Sequence, residues 1–371
     1  MKNLLVLLVL ISFCSVTIAS DNHETKSLKS NFVFGNPAIQ SMNALSFGPE
    51  GILFIGDSKS ASVFAIETSD EQKVDKAEAQ HIEQIDVKLA EALGTTPDNI
   101  SIQDMAVNPI SKKLYLSVHY ADGSPALVTL NNEKIELVNT TEILYSKVEI
   151  YDAIAADAKD QRGRPMRQWA ISDLGYSDGK VLVSGLSNQE FSSTFRSISF
   201  PFTDDQEYAS LEIWHAAHGQ YETYAPIKTF TAAEVNGQTQ LIASYTCTPL
   251  VLFPLINLKS GEHVKGRTVA ELGNGNTPLD MITMEKEGET YLLMANSNRA
   301  VMKIKFKDIE NYQESLTEPV KERSATAGVN FIALPMVNVL QMDKLDETQF
   351  VFIQRNARGD LNLSTSTNRW L

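Results

Sequence analysis

Apolar residues along this chain occur in short runs separated by turn residues, and not at the spacing of a helix. Residues 114–118 read Leu-Tyr-Leu-Ser-Val, and other runs of four to six residues likewise favour Val, Ile, Leu, Tyr and Phe. Such runs are typical of β-strands. The segments between them include Ser-Asp-Gly at 177–179 and Val-Asn-Gly at 235–237. Because Gly and Asn adopt positive φ at low cost, these segments predict hairpin turns.

One unit of this pattern repeats along the chain. It opens with Asp or Asn and an apolar pair, passes through a turn with Gly or Pro, and ends in a β-rich run. The six copies begin at Asn43, Asp104, Asp173, Lys228, Asp280 and Asn338. Two to four strands in each unit, at spacings of 52 to 69 residues, predict an all-β, six-bladed β-propeller. We expect residues 21–371 to form this single domain.

Two segments depart from the repeat. Residues 71–93 are rich in Glu, Gln, Ala and Lys, and they predict a short helical insertion after the first blade that ends at Gly94. Residues 151–167 are polar and contain Asp-Gln-Arg-Gly-Arg-Pro, which predicts a surface loop.

Residues 1–20 have the layout of a cleavable signal peptide. Lys2 precedes an apolar run at 4–13, and small residues follow up to Ala19 and Ser20. The sequence therefore predicts a secreted or periplasmic protein, and no later segment is long enough for a membrane span. Cys247 alone would remain after processing, so we expect no intramolecular disulfide, and we expect a monomer.

The chain is acidic, with a net charge of −14. This charge argues against nucleic acid as a partner, because binding to phosphates requires a basic face. It suits cations and basic ligands, although acidity also serves solubility alone. The sequence carries no Cys-x-x-Cys-His for haem and no phosphate-binding loop for a nucleotide. We therefore expect a small-molecule or protein ligand.

The stretch Gly-Pro-Glu-Gly-Ile-Leu-Phe-Ile-Gly-Asp-Ser, residues 48–58, resembles the blade pattern of NHL-repeat, SMP-30/gluconolactonase and strictosidine synthase-like proteins. The resemblance implies a six-bladed propeller and raises the possibility of a metal-dependent, lactonase-type hydrolase. The metal-binding Asn-Asp and Glu-Gly-Pro patterns of the lactonases do not occur in recognisable form.

The innermost strands of a propeller converge on its axis, so the residues that open each repeat are candidates for a central site. Asp104, Asp173 and Asp280 are the candidate metal ligands, and the amides of Asn43 and Asn338 complete an oxygen-rich ring that suits Ca²⁺. The alternative is structural, because Asp and Asn at strand starts also accept hydrogen bonds from backbone amides and join one blade to the next.

A second set of polar residues ends the β-runs, and Asp57, His119 and Asn296 belong to it. We interpret it mainly as exposed loop ends, with His119 as a candidate general base. His215 and His218, in Trp-His-Ala-Ala-His-Gly, are close enough in sequence to face one ligand or metal, or to lie on a surface loop. Cys247 follows a β-run and is interpreted as a buried apolar residue, or less readily as a nucleophile.

Two hypotheses about function follow. In the first, the protein binds a ligand, including a cation, at the channel mouth and long loops. In the second, it is a Ca²⁺-dependent hydrolase of the lactonase or esterase type, with the three aspartates as ligands and His119 or His215 as proton carrier. We prefer the first, because no enzyme signature is present.

Overall fold

The fold is an all-β propeller with six sheets arranged around one axis, as the repeat predicts. The computed structural model describes residues 27–131 and 133–371, so the predicted signal peptide lies outside the described residues. Within those ranges, no helix is both long and apolar enough to cross a membrane. We number the blades by the order in which their inner strands occur in the chain.

Blade 1 is built from two separate parts of the chain. Its first part consists of strands β1 (Val33–Gly35), β2 (Ala44–Phe47), β3 (Ile52–Asp57) and β4 (Ser62–Glu67). The chain then forms β5 (His81–Ile82) and the helix α1 (Ile85–Ala92), which confirms the predicted helical insertion. Blade 2 follows, with strands β6 (Ile100–Val107), β7 (Leu114–Tyr120), β8 (Pro125–Asn131) and β9 (Lys134–Leu137).

The next strand, β10 (Ile143–Glu149), returns to blade 1 and pairs between β4 and β1. Residues 151–166 then contain neither helix nor strand, in agreement with the predicted loop. Blade 3 comprises β11 (Asp173–Ser177), β12 (Lys180–Leu186), β13 (Ser193–Ser199), β14 (Gln206–His215) and β15 (Gln220–Glu222). It also gains β19 (His263–Lys265), which pairs parallel to β14.

The last three blades use the remaining strands. Blade 4 contains β16 (Thr229–Val235), β17 (Gln238–Ser244), β18 (Pro249–Pro254), β20 (Arg267–Glu271) and β24 (Ala327–Gly328). Blade 5 contains β21 (Pro278–Lys286), β22 (Glu289–Asn296), β23 (Met302–Lys305) and β25 (Ile332–Ala333), with the helix α2 (Phe306–Asn311) after β23. Blade 6 contains β26 (Val339–Lys344), β27 (Gln349–Arg355), β28 (Leu361–Thr367) and β5. Short 3-10 helices occur at Pro49–Gly51, Pro97–Asn99, Arg167–Trp169, Leu255–Asn257 and Asn368–Trp370.

The blades do not follow one another around the axis in chain order. Residues of blades 1 and 2 share one hydrophobic core, residues of blades 2 and 6 share a second, and residues of blades 1 and 3 share a third. Three further cores join blades 3 and 4, blades 4 and 5, and blades 5 and 6. The order around the ring is therefore 2-1-3-4-5-6, and blade 6 closes on blade 2.

Aromatic packing fixes the contact between blades 1 and 3, and a glycine allows a close approach within blade 3. The Phe54 ring stacks on Tyr176 at a centroid distance of 5.6 Å and meets Phe200 edge-on at 4.9 Å. Such pairs add to the free energy gained by burying apolar area. In blade 3, a Cβ at Gly185 would lie 2.1 Å from the carbonyl oxygen of Ala170, so only glycine permits this close approach of the chain.

Candidate functional site

Four aspartates converge on a central cavity of about 350 Å³. Asp104, Asp173, Asp280 and Asp343 each lie on the inner strand of their blade, respectively β6, β11, β21 and β26. The structure thus brings together the three predicted aspartates and adds Asp343, which the sequence interpretation missed. The cavity extends from these carboxyl groups towards the turns that follow β6 and β26, where Lys112 and Glu347 line it.

Each of these carboxylates joins its own strand to the next blade. Asp104 accepts hydrogen bonds from the backbone N–H of Met105 at 2.8 Å and from that of Leu45, in blade 1, at 2.7 Å. Asp173 does the same with Leu174 and with Phe230 of blade 4. Asp280 and Asp343 repeat the pattern, and their second donors belong to blades 6 and 2. The hydrogen bonds that the structural alternative describes are present at all four positions.

The central carboxyl groups are hard to ionise. Burial raises the pKa of Asp173 to about 8, and the nearby charge of Asp280 adds to the effect against the lowering influence of the backbone donors. Burial raises the pKa of Asp343 to about 6. For Asp104 and Asp280, burial and the neighbouring carboxylates together raise the pKa well above its ordinary value. These carboxyl groups therefore favour the protonated state unless another cation is present to stabilise their charge.

The other three residues that open the repeats do not join this group. Asn43 accepts hydrogen bonds from the Ser41 hydroxyl and the Ser58 backbone N–H. Asn338 has φ +56 and its carbonyl accepts the N–H of Arg355. Lys228 places its ammonium group 3.2 Å from the centroid of the Trp169 ring.

The strand-end candidates each have local partners. Asp57 is buried and accepts the N–H of Gln40 and the hydroxyl of Ser41, at 2.7 and 2.6 Å. His119 Nε2 accepts the N–H of Met42 at 3.0 Å, and burial together with the charge of Lys59 lowers its pKa. The Asn296 side chain is buried. It accepts one hydrogen bond from the Asn276 amide and donates to the carbonyls of Met294 and Ala300.

A second cluster lies between blades 3 and 4. The hairpin formed by β14 and β15 carries His215 at the end of β14 and His218 in the turn, and the turn between β17 and β18 carries Cys247. Among the described residues, this is the one set of three potential metal-binding side chains whose ligand atoms all lie within 4.8 Å of one another. The sequence interpretation considered the two histidines together but treated Cys247 separately.

None of the three cluster residues lines the central cavity. Thr229, the first residue of β16, lies opposite Ser244 at the end of β17, so the turn with Cys247 is at the end where inner strands begin. The cavity reaches the turns that follow β6 and β26. The protein therefore contains two separate candidate sites, one of carboxylates and one of imidazole and thiol groups.

Comparisons with known proteins do not identify a family for this chain. No protein-family model matches the chain, and no curated protein matches it. Among solved structures, a putative glucose dehydrogenase-type oxidoreductase from Thermus thermophilus is 10% identical, with 90% of this chain and 99% of that chain covered and a TM-score of 0.33. The extracellular domains 1–2 of Drosophila Semaphorin 1b are 9% identical, with 91% and 86% covered and a TM-score of 0.39.

The β-propeller domain of Cps50 (Swd1) from Myceliophthora thermophila is 10% identical, with 87% of this chain and 82% of that chain covered and a TM-score of 0.38. None of these similarities carries an argument about ligand or activity. The resemblance of residues 48–58 to NHL-repeat and lactonase-type propellers stays a prediction at the level of family.

Proposed function

We propose that the protein is an exported binding propeller that holds a small cationic ligand in its central cavity. The observation that carries this proposal is the convergence of four carboxyl groups on one cavity of about 350 Å³. That volume is at the small end of the range for ligand pockets. Each carboxylate oxygen that accepts one backbone N–H retains a further lone pair, so it can also accept a hydrogen bond from an ammonium group or from the water shell of a metal ion.

The raised pKa values support a cation over a neutral ligand. A positive charge in the cavity stabilises the ionised carboxylates and offsets the repulsion from Asp280 that contributes to the raised pKa of Asp173. Ligand binding should therefore release protons from the cavity. The acidity of the whole chain, with a net charge of −14, favours the approach of the same class of ligand.

The spacing of the carboxylates favours an organic ammonium or a hydrated ion over a bare Ca²⁺. Oxygen ligands lie about 2.4 Å from Ca²⁺, so two of them on opposite sides are about 4.8 Å apart. Within the described part of the chain, no three of the cavity aspartates have carboxylate oxygens that all lie within 4.8 Å of one another. Ca²⁺ with direct ligation by Asp104, Asp173 and Asp280 remains the alternative.

The hydrolase hypothesis is less well supported. The residues that line the cavity in the described part of the chain include no histidine that could carry a proton. His119 makes its contact with Met42, and His215 belongs to the separate cluster with His218 and Cys247. We therefore prefer binding to catalysis for this cavity.

Isothermal titration of the purified protein with putrescine, spermidine, Ca²⁺ and Mg²⁺ tests the proposal. We expect one of these cations to bind more tightly near pH 8 than near pH 6, the two values to which burial raises the pKa of Asp173 and Asp343. The heat should depend on the ionisation enthalpy of the buffer, because protons are released. Asp173→Asn should weaken binding about tenfold, which corresponds to about 1.4 kcal/mol.

The matched control is Asp98→Asn, which removes the same charge from an exposed position in the 3-10 helix before β6. It should leave binding unchanged. Binding that survives in the triple variant D104N/D173N/D280N would place the ligand elsewhere, and the absence of binding by all four cations would contradict the proposal. Lactone or aryl ester turnover that is lost in Asp173→Asn would favour the hydrolase instead.

A further inference from the structure

The cluster of His215, His218 and Cys247, called here the His–His–Cys cluster, has the composition and spacing of a transition-metal site. Its ligand atoms all lie within 4.8 Å of one another, and the two imidazole rings have a centroid distance of 3.9 Å. A tetrahedral Zn²⁺ has ligands at about 2.0 to 2.3 Å, which places neighbouring ligand atoms roughly 3.3 to 3.8 Å apart. Small side-chain movements would bring all three onto one ion.

One carboxylate orients both rings. Glu222 is buried, and its Oε2 lies 2.8 Å from Nδ1 of His215 while its Oε1 lies 2.6 Å from Nδ1 of His218. An ionised carboxylate accepts hydrogen bonds only, so each Nδ1 carries the hydrogen. Both Nε2 atoms then keep a free lone pair. A carboxylate that fixes the tautomer of a metal-binding histidine in this way is a common feature of metal sites.

His215 supplies the independent sign that a ligand is missing from the hydrogen-bond network. The residue is 2% exposed, and its Nε2 has no hydrogen-bond partner within the described structure. Buried ring nitrogens usually have a partner, because an unpaired one loses its interaction with water and gains nothing in return. A metal ion bound at this atom would supply the interaction.

Two buried carboxyl groups lie behind the cluster. The Glu222 side chain is only 2% exposed and accepts hydrogen bonds from both histidines. Glu271 is fully buried nearby, where it accepts the backbone N–H of Ala217 at 3.1 Å, and its other oxygen has no partner in the described structure. A cation is the class of ligand that such surroundings favour.

We propose that the His–His–Cys cluster binds one thiophilic transition-metal ion, zinc or copper, through Nε2 of His215, Nε2 of His218 and the thiolate of Cys247. Imidazole and thiolate ligands select these ions over Ca²⁺ and Mg²⁺, which prefer oxygen. The thiol gives up its proton to solvent when the metal–sulfur bond forms, so the ion replaces that proton. This site is separate from the cavity of the proposed function and stands if that proposal fails.

The ion can enter without opening the fold. The His218 side chain is 46% exposed and Cys247 is partly exposed, whereas His215 and Glu222 form the buried side of the cluster. With three ligands from the protein, a tetrahedral ion has a fourth position for water or another small ligand. The geometry therefore corresponds to an accessible metal site.

Metal titration of the full chain under reducing conditions tests this inference. We expect one equivalent of Zn²⁺ or Cu⁺ to be retained against a chromophoric chelator. Substitution with Co²⁺ should give the near-ultraviolet charge-transfer band of a cobalt–thiolate bond and the visible bands of a tetrahedral site. His218→Gln and Cys247→Ser change partly exposed residues, so both variants should fold. Each should lower the affinity at least a hundredfold, and Cys247→Ser should abolish the charge-transfer band.

Two further variants separate ligation from folding. Glu222→Gln should weaken metal affinity about 10- to 100-fold while the charge-transfer band persists, since outer carboxylates have effects of this size. His263→Gln is the matched control, because His263 lies on a neighbouring strand and makes hydrogen bonds to Ser210 and Glu212 away from the cluster. It should bind metal like the original protein.

The proposal is supported if the protein retains one equivalent of zinc or copper and if the Co²⁺-substituted protein shows the cobalt–thiolate charge-transfer band. Failure to retain either metal would overturn it. So would binding that is equally tight in the double variant H218Q/C247S, because the ion would then have other ligands. Circular dichroism of each variant shows whether the fold is intact, and the cation titration of the central cavity reports on the other site independently.

Discussion

Replacing Asp173 by asparagine should change how the stability of the propeller depends on pH. Burial and the charge of Asp280 raise the pKa of Asp173 in the folded protein to about 8, compared with an ordinary value of 3.8. Between these values the folded state holds a proton that the unfolded state has released. The contribution of Asp173 to the free energy of unfolding is therefore greatest below pH 3.8, and it falls as the pH rises towards 8.

The size of the effect has an upper limit. A rise of about four pKa units corresponds to about 5 kcal/mol at 1.36 kcal/mol per unit. The carboxyl group touches a cavity that water enters, so we expect about 2 kcal/mol to be expressed. Asparagine also loses one of the two acceptors, which leaves the N–H of either Leu174 or Phe230 without its carboxylate and costs about 1 to 3 kcal/mol at every pH.

The two effects together predict that the stability curves converge as the pH rises. Near pH 5, Asp173→Asn should be the less stable protein, and near pH 9 the roughly 2 kcal/mol that ionisation no longer takes away should offset most or all of the lost hydrogen bond. Urea unfolding followed by tryptophan fluorescence across this range measures the difference. Asp98→Asn, at an exposed position, should run parallel to the original protein. Parallel curves for Asp173→Asn as well would refute the reasoning.

Substitutions at three other positions test separate features of the fold. Arg196 is 1% exposed, with two guanidinium nitrogens unpaired in the described structure, and burial lowers its pKa to about 10. In urea unfolding, Arg196→Met should be neutral or stabilising and Arg196→Ala should cost about 2 to 5 kcal/mol. Gly185→Ala should lower the melting temperature through its clash with Ala170, at a cost of about 1 to 3 kcal/mol or more. Burial, with a smaller contribution from a nearby arginine, lowers the pKa of Lys228 to about 8. Because the Lys228 ammonium group lies over the ring of Trp169, the fluorescence of Trp169 should change with a midpoint near that pH, and Lys228→Met should abolish the change.

The sequence predicts the repeat, the strand chemistry and the helical insertion, because these depend on local patterns. It also predicts three of the four central carboxyl groups, since Asp104, Asp173 and Asp280 open their repeats on inner strands. Asp343 was missed because it does not open its repeat. The sixth copy begins at Asn338, and Asp343 lies five residues further along the chain, on β26.

Two other features depend on contacts that a linear pattern does not contain. Cys247 meets the two histidines only because blades 3 and 4 pack side by side, and nothing near Cys247 in the sequence refers to them. The order of the blades depends likewise on β10 returning to β4 and on β5 pairing with β28, across 281 residues between Leu363 and Ile82. Repeat spacing gives the number of blades and not their order around the axis.

The interleaving of blades 1 and 2 affects how the chain can fold as it emerges during synthesis. The inner strands of blade 1 are made first, yet their outward neighbour β10 ends only at Glu149, after all of blade 2. The short strand β5 stays unpaired for longer still, because its partner β28 lies near the end of the chain, at Leu361–Thr367. Until then, edge strands with unpaired backbone groups remain available to other chains. Cotranslational folding of this propeller thus begins with two open edges, and the last blade to be synthesised seals the ring.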